Sequence, residues 1–202
     1  AVGLDITGNR VWESWSSPRE LWSKPFSWFD LKTTSQLAVL FPLFMKMWRI
    51  DDWRETLHEI IYWYLSANDS SRGIDAGIIL TQAAIERLSY EFVVKDKLLL
   101  TGSGFKDLWA SDKFRLLLSS LKIPLAIPPN TSGLIKLGKK FTWLDAPHAL
   151  TEIRNSLIHP DHKRRGKLDD VFFEAWGLGL WYLELAILAV CNYPETYRNR
   201  LT

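Results

Sequence analysis

The sequence predicts an all-α protein, a bundle of about five to seven helices, and three observations support this prediction. Apolar residues recur at three- and four-residue steps through most of the chain, which is the period of an amphipathic helix. The alternation typical of β-strands competes only weakly, at residues 98–100. With 47% hydrophobic and 24% charged residues, the 202 residues have the composition of one globular domain rather than of a disordered chain.

Residues 1–34 are the exception, because they show no helical period. Four tryptophans fall here among two prolines: Trp12, Trp15, Trp22, Trp28, Pro18 and Pro25. Prolines and mixed polar residues of this kind interrupt regular structure. We therefore expect an irregular Trp-rich arm that packs on the body, or the remnant of a preceding domain, followed by a helical domain over residues 35–202.

Three helices are expected in the first part of the helical domain. The first covers residues 35–48, with a kink or break at Pro42, since proline removes a backbone hydrogen bond. The second begins at Asp52, where a carboxylate followed by a glutamate three residues on is typical of a helix start. The third covers residues 74–94 and has the regular apolar seam of a bundle core.

The next segment combines a turn, a helix and a long loop. The turn lies at Thr101, and the helix over residues 105–121 is expected to be interrupted near Ser111. Several prolines then predict a loop over residues 124–140. Loops of this length inside a compact domain are usually functional or mobile.

The final helix is expected to be capped by Asp169 or Asp170 and is apolar on most sides. Such a helix lies at the centre of a fold or faces another subunit. Its most apolar run, residues 178–190, contains Glu184 and is too short to span a bilayer. We therefore expect no membrane partner.

The second-last helix is expected to begin at Asp145 and to end near Ile158. Pro147 suits the first turn of a helix, because its missing N–H has no partner there. Pro160 disfavours the helical conformation for His159, the residue before it, and so stops the helix.

Arg154, Asn155 and His159 gather polar groups at the end of this helix. Asn155 and His159 are four residues apart and share a face. Arg154 lies beside the apolar stripe, where a permanently charged side chain needs a partner, and Glu86 of the third helix is the candidate. An arginine, an amide and a histidine together bind phosphate and transfer protons, which is the chemistry of phosphodiester cleavage.

A basic segment follows the motif, and we expect it to bind RNA through four residues: Lys163, Arg164, Arg165 and Lys167. Residues 131–167 carry eight basic and three acidic side chains, a net charge of +5 against −3 for the remainder. A basic patch on a slightly acidic body suits a partner that bears phosphates. A solvated loop is the alternative.

Several other kinds of chemistry find no support in the sequence. The single cysteine, Cys191, excludes a disulfide within the chain and fits a reducing compartment, so a cytoplasmic location is expected. The four histidines are scattered and form no metal-binding pattern. We therefore expect no metal and no cofactor.

The string Arg154-Asn155-x-x-x-His159, which ends the second-last helix and precedes an apolar helix, resembles the signature of the HEPN family. The resemblance covers roughly residues 35–192. It implies a HEPN-like bundle in which two chains place their motifs face to face in the cleft of a homodimer. It further implies that Arg154 binds the scissile phosphate, that Asn155 orients the phosphate or His159, and that His159 shuttles the proton.

By this resemblance we expect a metal-independent endoribonuclease that cleaves RNA by attack of the 2′-hydroxyl. Family members often act as toxins or antiviral effectors, which makes an N-terminal sensor domain or an antitoxin the expected partner besides RNA. Two alternatives stay open. One is a non-catalytic HEPN dimerisation or scaffold module, and the other is a helical bundle that binds a small ligand or a protein.

Overall fold

The all-α prediction is confirmed by a computed structural model, which describes residues 2–13, 27–30, 32–33, 35–69 and 73–201. These ranges contain eight α-helices and one pair of short strands. The helices are α1 (Ser35–Trp48), α2 (Asp51–Ala67), α3 (Ile74–Tyr90), α4 (Gly102–Lys106), α5 (Ala110–Ser120), α6 (Ser132–Phe141), α7 (Ala146–Ile158) and α8 (Phe172–Val190).

Short irregular elements complete the architecture. Strands β1 (Val2–Leu4) and β2 (Arg10–Glu13) pair antiparallel, with an irregularity in the register after Gly3. Helix α3 continues into a π-helical turn over Glu91–Asp96, and a 3-10 turn over Asp169–Val171 leads into α8.

Helix α8 is the central helix of the bundle. Its residues from Leu178 to Ala186 are buried without a break, and α3 packs along it. Helix α3 also packs on α2, while α5 and α7 pack on α3. A helix that is covered by neighbours on most sides is apolar on most sides, so the apolar sequence of α8 reflects its central position. The covering helices leave little of its surface for contact with another subunit.

The same helix is the candidate membrane span among the described residues. By length and composition the segment Asp169–Val190 is long and apolar enough to cross a bilayer, and it is longer than the run 178–190 that the sequence analysis considered too short. However, 61% of its most apolar window is buried inside the fold. The buried central helix of a soluble protein has these properties too.

Glu184 lies in the middle of α8 and is fully partnered. Arg200 donates to its two carboxylate oxygens at 3.1 and 2.6 Å, and the Tyr64 hydroxyl donates at 2.7 Å. The Glu184 and Arg200 side chains are only 2% and 3% exposed. Paired charges of this kind are tolerated in a core, and here they tie the C-terminal segment and α2 to the central helix.

The N-terminal arm differs in part from the prediction. Residues 2–13 form a hairpin rather than an irregular segment. Trp28 is buried as expected, because its ring packs on Tyr193 at 5.4 Å and its carbonyl accepts from the Arg198 N–H at 2.5 Å. The predictions for Trp15, Pro18, Trp22 and Pro25 lie outside the described residues, as does the side chain of Trp12.

Two expected helix signals behave differently in the fold. Helix α1 runs through Pro42 without a break, and residue 42 is exposed. Helix α2 begins one residue before Asp52, at Asp51, and the cap position is occupied by Ile50, which makes no side-chain cap. Both aspartates nevertheless lie in the first turn, where negative charge is favourable.

Helix α6 replaces the second half of the loop predicted over residues 124–140. Its inward face buries Leu134. The N-terminus of α6 is held by Glu174 of α8, whose carboxylate oxygens accept from the backbone N–H groups of Gly133 at 3.0 Å and Leu134 at 2.8 Å. A cap supplied from α8 satisfies the first free N–H groups of the helix, so a short segment becomes helical without a local start signal.

The remaining corrections concern helix starts. Thr101 is the N-cap of α4, accepting from the Gly104 N–H at 3.1 Å, and not a simple turn. The expected interruption is confirmed, because α4 and α5 are separate helices on either side of residues 107–109. The expected cap of α8 by Asp169 or Asp170 is wrong, since the 3-10 turn precedes the helix and the Val171 cap position has no side-chain bond. Because α4 and α5 are separate and α6 was not predicted, the described ranges contain eight α-helices, one more than the predicted upper limit of seven.

Candidate functional site

Helix α7 carries the motif and is anchored firmly at its N-terminal end. As predicted, Asp145 caps the helix by accepting from the His148 N–H at 2.9 Å. Arg115 of α5 donates to both oxygens of the same carboxylate, at 2.6 and 3.0 Å. Hydrogen bonding to Asp145 raises the pKa of Arg115, so the guanidinium stays charged. The start of α7 is therefore fixed against α5.

The C-terminal end of α7 is open to solvent. The helix ends at Ile158, as predicted, and His159 adopts an extended conformation with φ of −99° and ψ of 114°. Its backbone N–H still bonds to the Asn155 carbonyl at 3.0 Å, while its side chain is exposed. Pro160 accounts for the abrupt ending, since the residue before a proline prefers extended backbone. The backbone of His159 is thus fixed at the helix end, and its imidazole is accessible from solvent.

Arg154 lies in a pocket between α3, α5 and α7. The side chain is half-buried, and its Nη1 donates to the Asn155 Oδ1 at 3.2 Å. Its Nε is buried and has no hydrogen-bond partner within the described ranges. The pocket is lined by Gln82, Ile85, Glu86, Ala110, Phe114, Thr151 and Arg154.

The expected pairing of Arg154 with Glu86 does not occur. Glu86 lines the same pocket, but its carboxylate accepts from Lys113 of α5 at 2.7 Å. Lys113 also lies 5.1 Å from the centre of the Phe105 ring, which holds its ammonium in place. Glu86 is therefore paired with Lys113, and not with Arg154 as the sequence predicts.

Arg154 and His159 lie on different sides of α7. Five helical residues correspond to a rotation of about 140° from the nearest full turn. Arg154 faces the pocket formed with α3 and α5, whereas His159 lies beyond the helix end beside the following loop. Asn155 contacts Arg154 and lies nearer to the His159 side, so it is the link between the two within one chain.

The basic loop after α7 divides into one internal and three external cations. Arg164 is half-buried, pairs with Glu152 of α7, and stacks its guanidinium over the Phe141 ring at 4.7 Å. Burial lowers the pKa of Arg164, although an arginine stays charged at neutral pH. The expectation that Arg164 binds RNA stays a prediction, and the structure shows that its side chain also holds the loop. The external cations are Lys163, Arg165 and Lys167.

Glu152 and His162 also belong to this end of the helix, and the sequence analysis gave neither a role in the site. The His162 Nε2 lies 3.9 Å from the Glu152 carboxylate, and its Nδ1 accepts from the Arg164 N–H at 3.2 Å. The His162 N–H donates to the His159 carbonyl at 3.2 Å. The signal that identifies Glu152 is its spacing of seven residues from His159, which is about two helical turns and places both on one side.

The described part of the chain contains no group of three or more His, Cys, Asp or Glu residues placed to hold a metal ion. Cys191 is buried, and burial raises the pKa of its thiol to about 11, so it is protonated at neutral pH. What the α7 end offers instead is an accessible imidazole and exposed cations, a combination suited to proton transfer beside a bound polyanion.

Comparison with known proteins relates this chain to one family and to one curated relative. The model of the YopA C-terminal domain matches residues 50–202, which include every helix from α2 to α8. The chain is also 30% identical over 193 residues to the SPbeta prophage-derived uncharacterized protein YopA of Bacillus subtilis (strain 168). That alignment covers 95% of this chain and 43% of the relative, so the chain spans less than half of the relative's length. No solved structure matches the chain.

Proposed function

This chain belongs to the YopA C-terminal domain family, and we propose that it is a metal-independent endoribonuclease in which His159 transfers the proton during RNA cleavage. The observation that carries the proposal is the exposed imidazole of His159 at the end of α7. Beside it lie three exposed cations that form no ion pair with any residue the structure describes: Lys163, Arg165 and Lys167.

RNA cleavage of this kind needs little beyond positioning and proton transfer. The 2′-oxygen bonds to phosphorus while the bond from phosphorus to the 5′-oxygen breaks, which leaves a 2′,3′-cyclic phosphate and a 5′-hydroxyl. A base removes the 2′ proton, and an acid protonates the leaving oxygen. One His159 supplies one of these groups. The same residue from a second copy of the chain supplies the other, in a homodimer of the HEPN type.

Arg154 and Asn155 have supporting roles in this proposal. Asn155 shares a side of α7 with His159 and is held by the Arg154 guanidinium at 3.2 Å. Asn155 then orients the scissile phosphate or His159. Arg154 acts through its hydrogen bond to Asn155, because its own guanidinium faces the pocket between α3 and α5. Glu152 has a corresponding role in positioning the His162 and Arg164 side of the loop.

The biological setting that we propose is a toxin or an antiviral effector acting in the cytoplasm. The Bacillus subtilis relative is described as prophage-derived, and an effector of this kind is compatible with that origin. The relative is more than twice as long as the matched segment, which leaves room for a sensor domain in a protein of that length. An antitoxin is the alternative partner that restrains cleavage.

A second candidate function is a non-catalytic dimerisation or scaffold module, or a bundle that binds a ligand or a protein. One observation favours it, namely that Arg154 faces the pocket between α3 and α5 and not the His159 side of α7. In that case Arg154 is a packing residue, and the cations at the end of α7 bind their ligand without cleaving it.

The chemistry of the products separates the two candidates. We expect cleavage of a labelled RNA to persist in excess chelator and to leave 2′,3′-cyclic phosphate ends. Replacing the 2′-hydroxyl at the cleaved position by hydrogen removes the nucleophile, so cleavage there should stop while binding is retained. Loss of cleavage in chelator, or cleavage of the 2′-deoxy substrate at an unchanged rate, would exclude the proposed mechanism.

A further inference from the structure

The outward face of α6 carries three lysines that the site described above does not use. Lys136, Lys139 and Lys140 are exposed, and their spacing of three and four residues places them on one face of the helix. The opposite face is buried through Leu134 and Gly138. None of the three lysines forms an ion pair with a described residue. Their charge is therefore available to a partner.

Arg164 brings this face next to the loop that follows α7. Its guanidinium lies 4.7 Å from the centre of the Phe141 ring, and Phe141 is the last residue of α6. The Lys140 ammonium lies 5.2 Å from the same ring. Because Arg164 also pairs with Glu152 of α7, it joins the two elements. The exposed cations of α6 and of the loop therefore adjoin at Phe141, and we call them together the basic surface: Lys136, Lys139, Lys140, Lys163, Arg165 and Lys167.

A cleft opens beside this basic surface. It lies between the segment 126–129 and the end of α6 and has a volume of about 620 Å³. Its lining is largely apolar and includes Ile127, Ile135 and Leu144. Leu144 is 75% exposed, while Lys139 of the basic surface lines the same cleft. A cleft of this size accepts a planar organic group, and its cation is placed for an attached phosphate.

We propose that the basic surface and this cleft together bind unpaired RNA, with the phosphates on the cations and a splayed base in the cleft. The inference rests on the proposed function, since it names the substrate class of that site. Unpaired RNA is favoured because the base of a single strand is free to leave the stack and enter a recess, whereas the bases of a duplex are not. A flat anionic membrane presents charge but no planar group that would enter the cleft, so it is the less suitable partner. Arg164 is a positioning residue that holds the loop and α6 together.

Binding measurements test this inference independently of cleavage. The parent is the full chain with His159→Ala, so that the RNA stays intact, and the probe is a labelled unstructured RNA measured over a salt series. In that parent, Lys139→Gln with Lys140→Gln removes two cations of the basic surface. The matched control is Lys46→Gln with Arg49→Gln, which removes two exposed cations at the end of α1, on a helix that packs on α2.

We expect the α6 variant to bind the single strand about tenfold more weakly and to lower the salt slope by about 1.4, because each phosphate contact on a single strand contributes about 0.7. The α1 control should leave both values unchanged. Leu144→Glu places a negative charge at the cleft edge and should weaken binding roughly fivefold or more, as expected for loss of one base contact. Leu98→Glu, at a position 78% exposed, is its control.

The outcomes separate failure of this inference from failure of the proposed function. Unchanged affinity and slope in the α6 variant overturn the inference and leave the endoribonuclease proposal intact. Equal or tighter binding of the matching duplex by the parent also overturns the inference. So does an α6 variant that no longer binds phosphatidylserine vesicles but binds RNA as the parent does. Binding by the parent without cleavage by the wild type removes the endoribonuclease and keeps the RNA surface. A parent that binds no RNA overturns both.

Discussion

The two ends of α7 both carry charged side chains, but they use them differently. At the N-terminal end, Asp145 caps the helix and pairs with Arg115, so each charge has a partner in the fold. At the C-terminal end, the His159 side chain is exposed and the Arg154 Nε is buried without a partner in the described ranges. The neighbouring cations Lys163 and Arg165 are exposed and form no ion pair with a residue in the described ranges.

This difference separates charges that stabilise the fold from charges that remain available to a ligand. Polar groups that serve the structure are usually satisfied inside it, because an unpaired buried group costs free energy. The N-terminal end of α7 follows this rule. The C-terminal end departs from it at Arg154, and the departure lies in the same turns as the exposed histidine. Substitutions at the two ends should therefore affect different properties.

The largest effect on stability is expected at the anchored end. Asp145→Ala removes the cap of α7 and leaves Arg115 without its main partner, so the free energy of unfolding should fall by about 3 kcal/mol. Urea denaturation followed by circular dichroism measures this change. Asp161→Ala, which removes an exposed carboxylate at the other end, is the control and should alter stability by less than about 0.5 kcal/mol. Equal effects at the two positions would contradict the comparison.

A smaller effect is expected within the basic loop. Arg164→Ala removes the ion pair with Glu152 and the stacking on Phe141, which should cost about 1 kcal/mol of stability. Lys163→Ala, one residue away and exposed, should leave stability unchanged and lower the salt dependence of RNA binding. Thermal denaturation and binding measured on the same two variants check both statements. A stability loss in Lys163→Ala with none in Arg164→Ala would show that the two roles are reversed.

The smallest effect on stability is expected at Arg154. The sequence predicts that Arg154→Ala destabilises the fold by leaving a buried carboxylate unpaired, but Glu86 is paired with Lys113. The loss should then be roughly 0.5 kcal/mol, for one hydrogen bond to Asn155 and some packing. The RNA cleavage rate of the folded variant should nevertheless fall. A stability loss of several kcal/mol with normal cleavage would make Arg154 a packing residue and favour the scaffold function.

Local signals in the sequence were enough to predict α7, whereas contacts between distant residues were not predictable. Asp145, Pro147 and Pro160 mark the start and the end of the helix within a few residues of each, so both bounds are confirmed. The start of α6 depends on Glu174, about forty residues further along, and no local pattern reveals it.

The same limit applies to the charges of the candidate site. Periodicity placed Arg154 beside an apolar stripe, and it is half-buried as expected. Which cation reaches Glu86 depends on how α5 packs on α3, and the sequence does not contain that geometry in a local form. Likewise, four neighbouring basic residues are equivalent in sequence, and the positions of Phe141 and Glu152 separate Arg164 from the other three.

The most direct test of the central claim is the single-turnover cleavage rate of a labelled RNA by the wild type and by His159→Ala. Removing the group that transfers the proton should lower the rate by about 10² to 10⁴ without a change in stability, because the side chain is exposed. His58→Ala, which removes an exposed histidine of α2, is the control and should cleave at the wild-type rate. Equal rates for His159→Ala and the wild type would contradict the claim that the open end of α7 is a catalytic site.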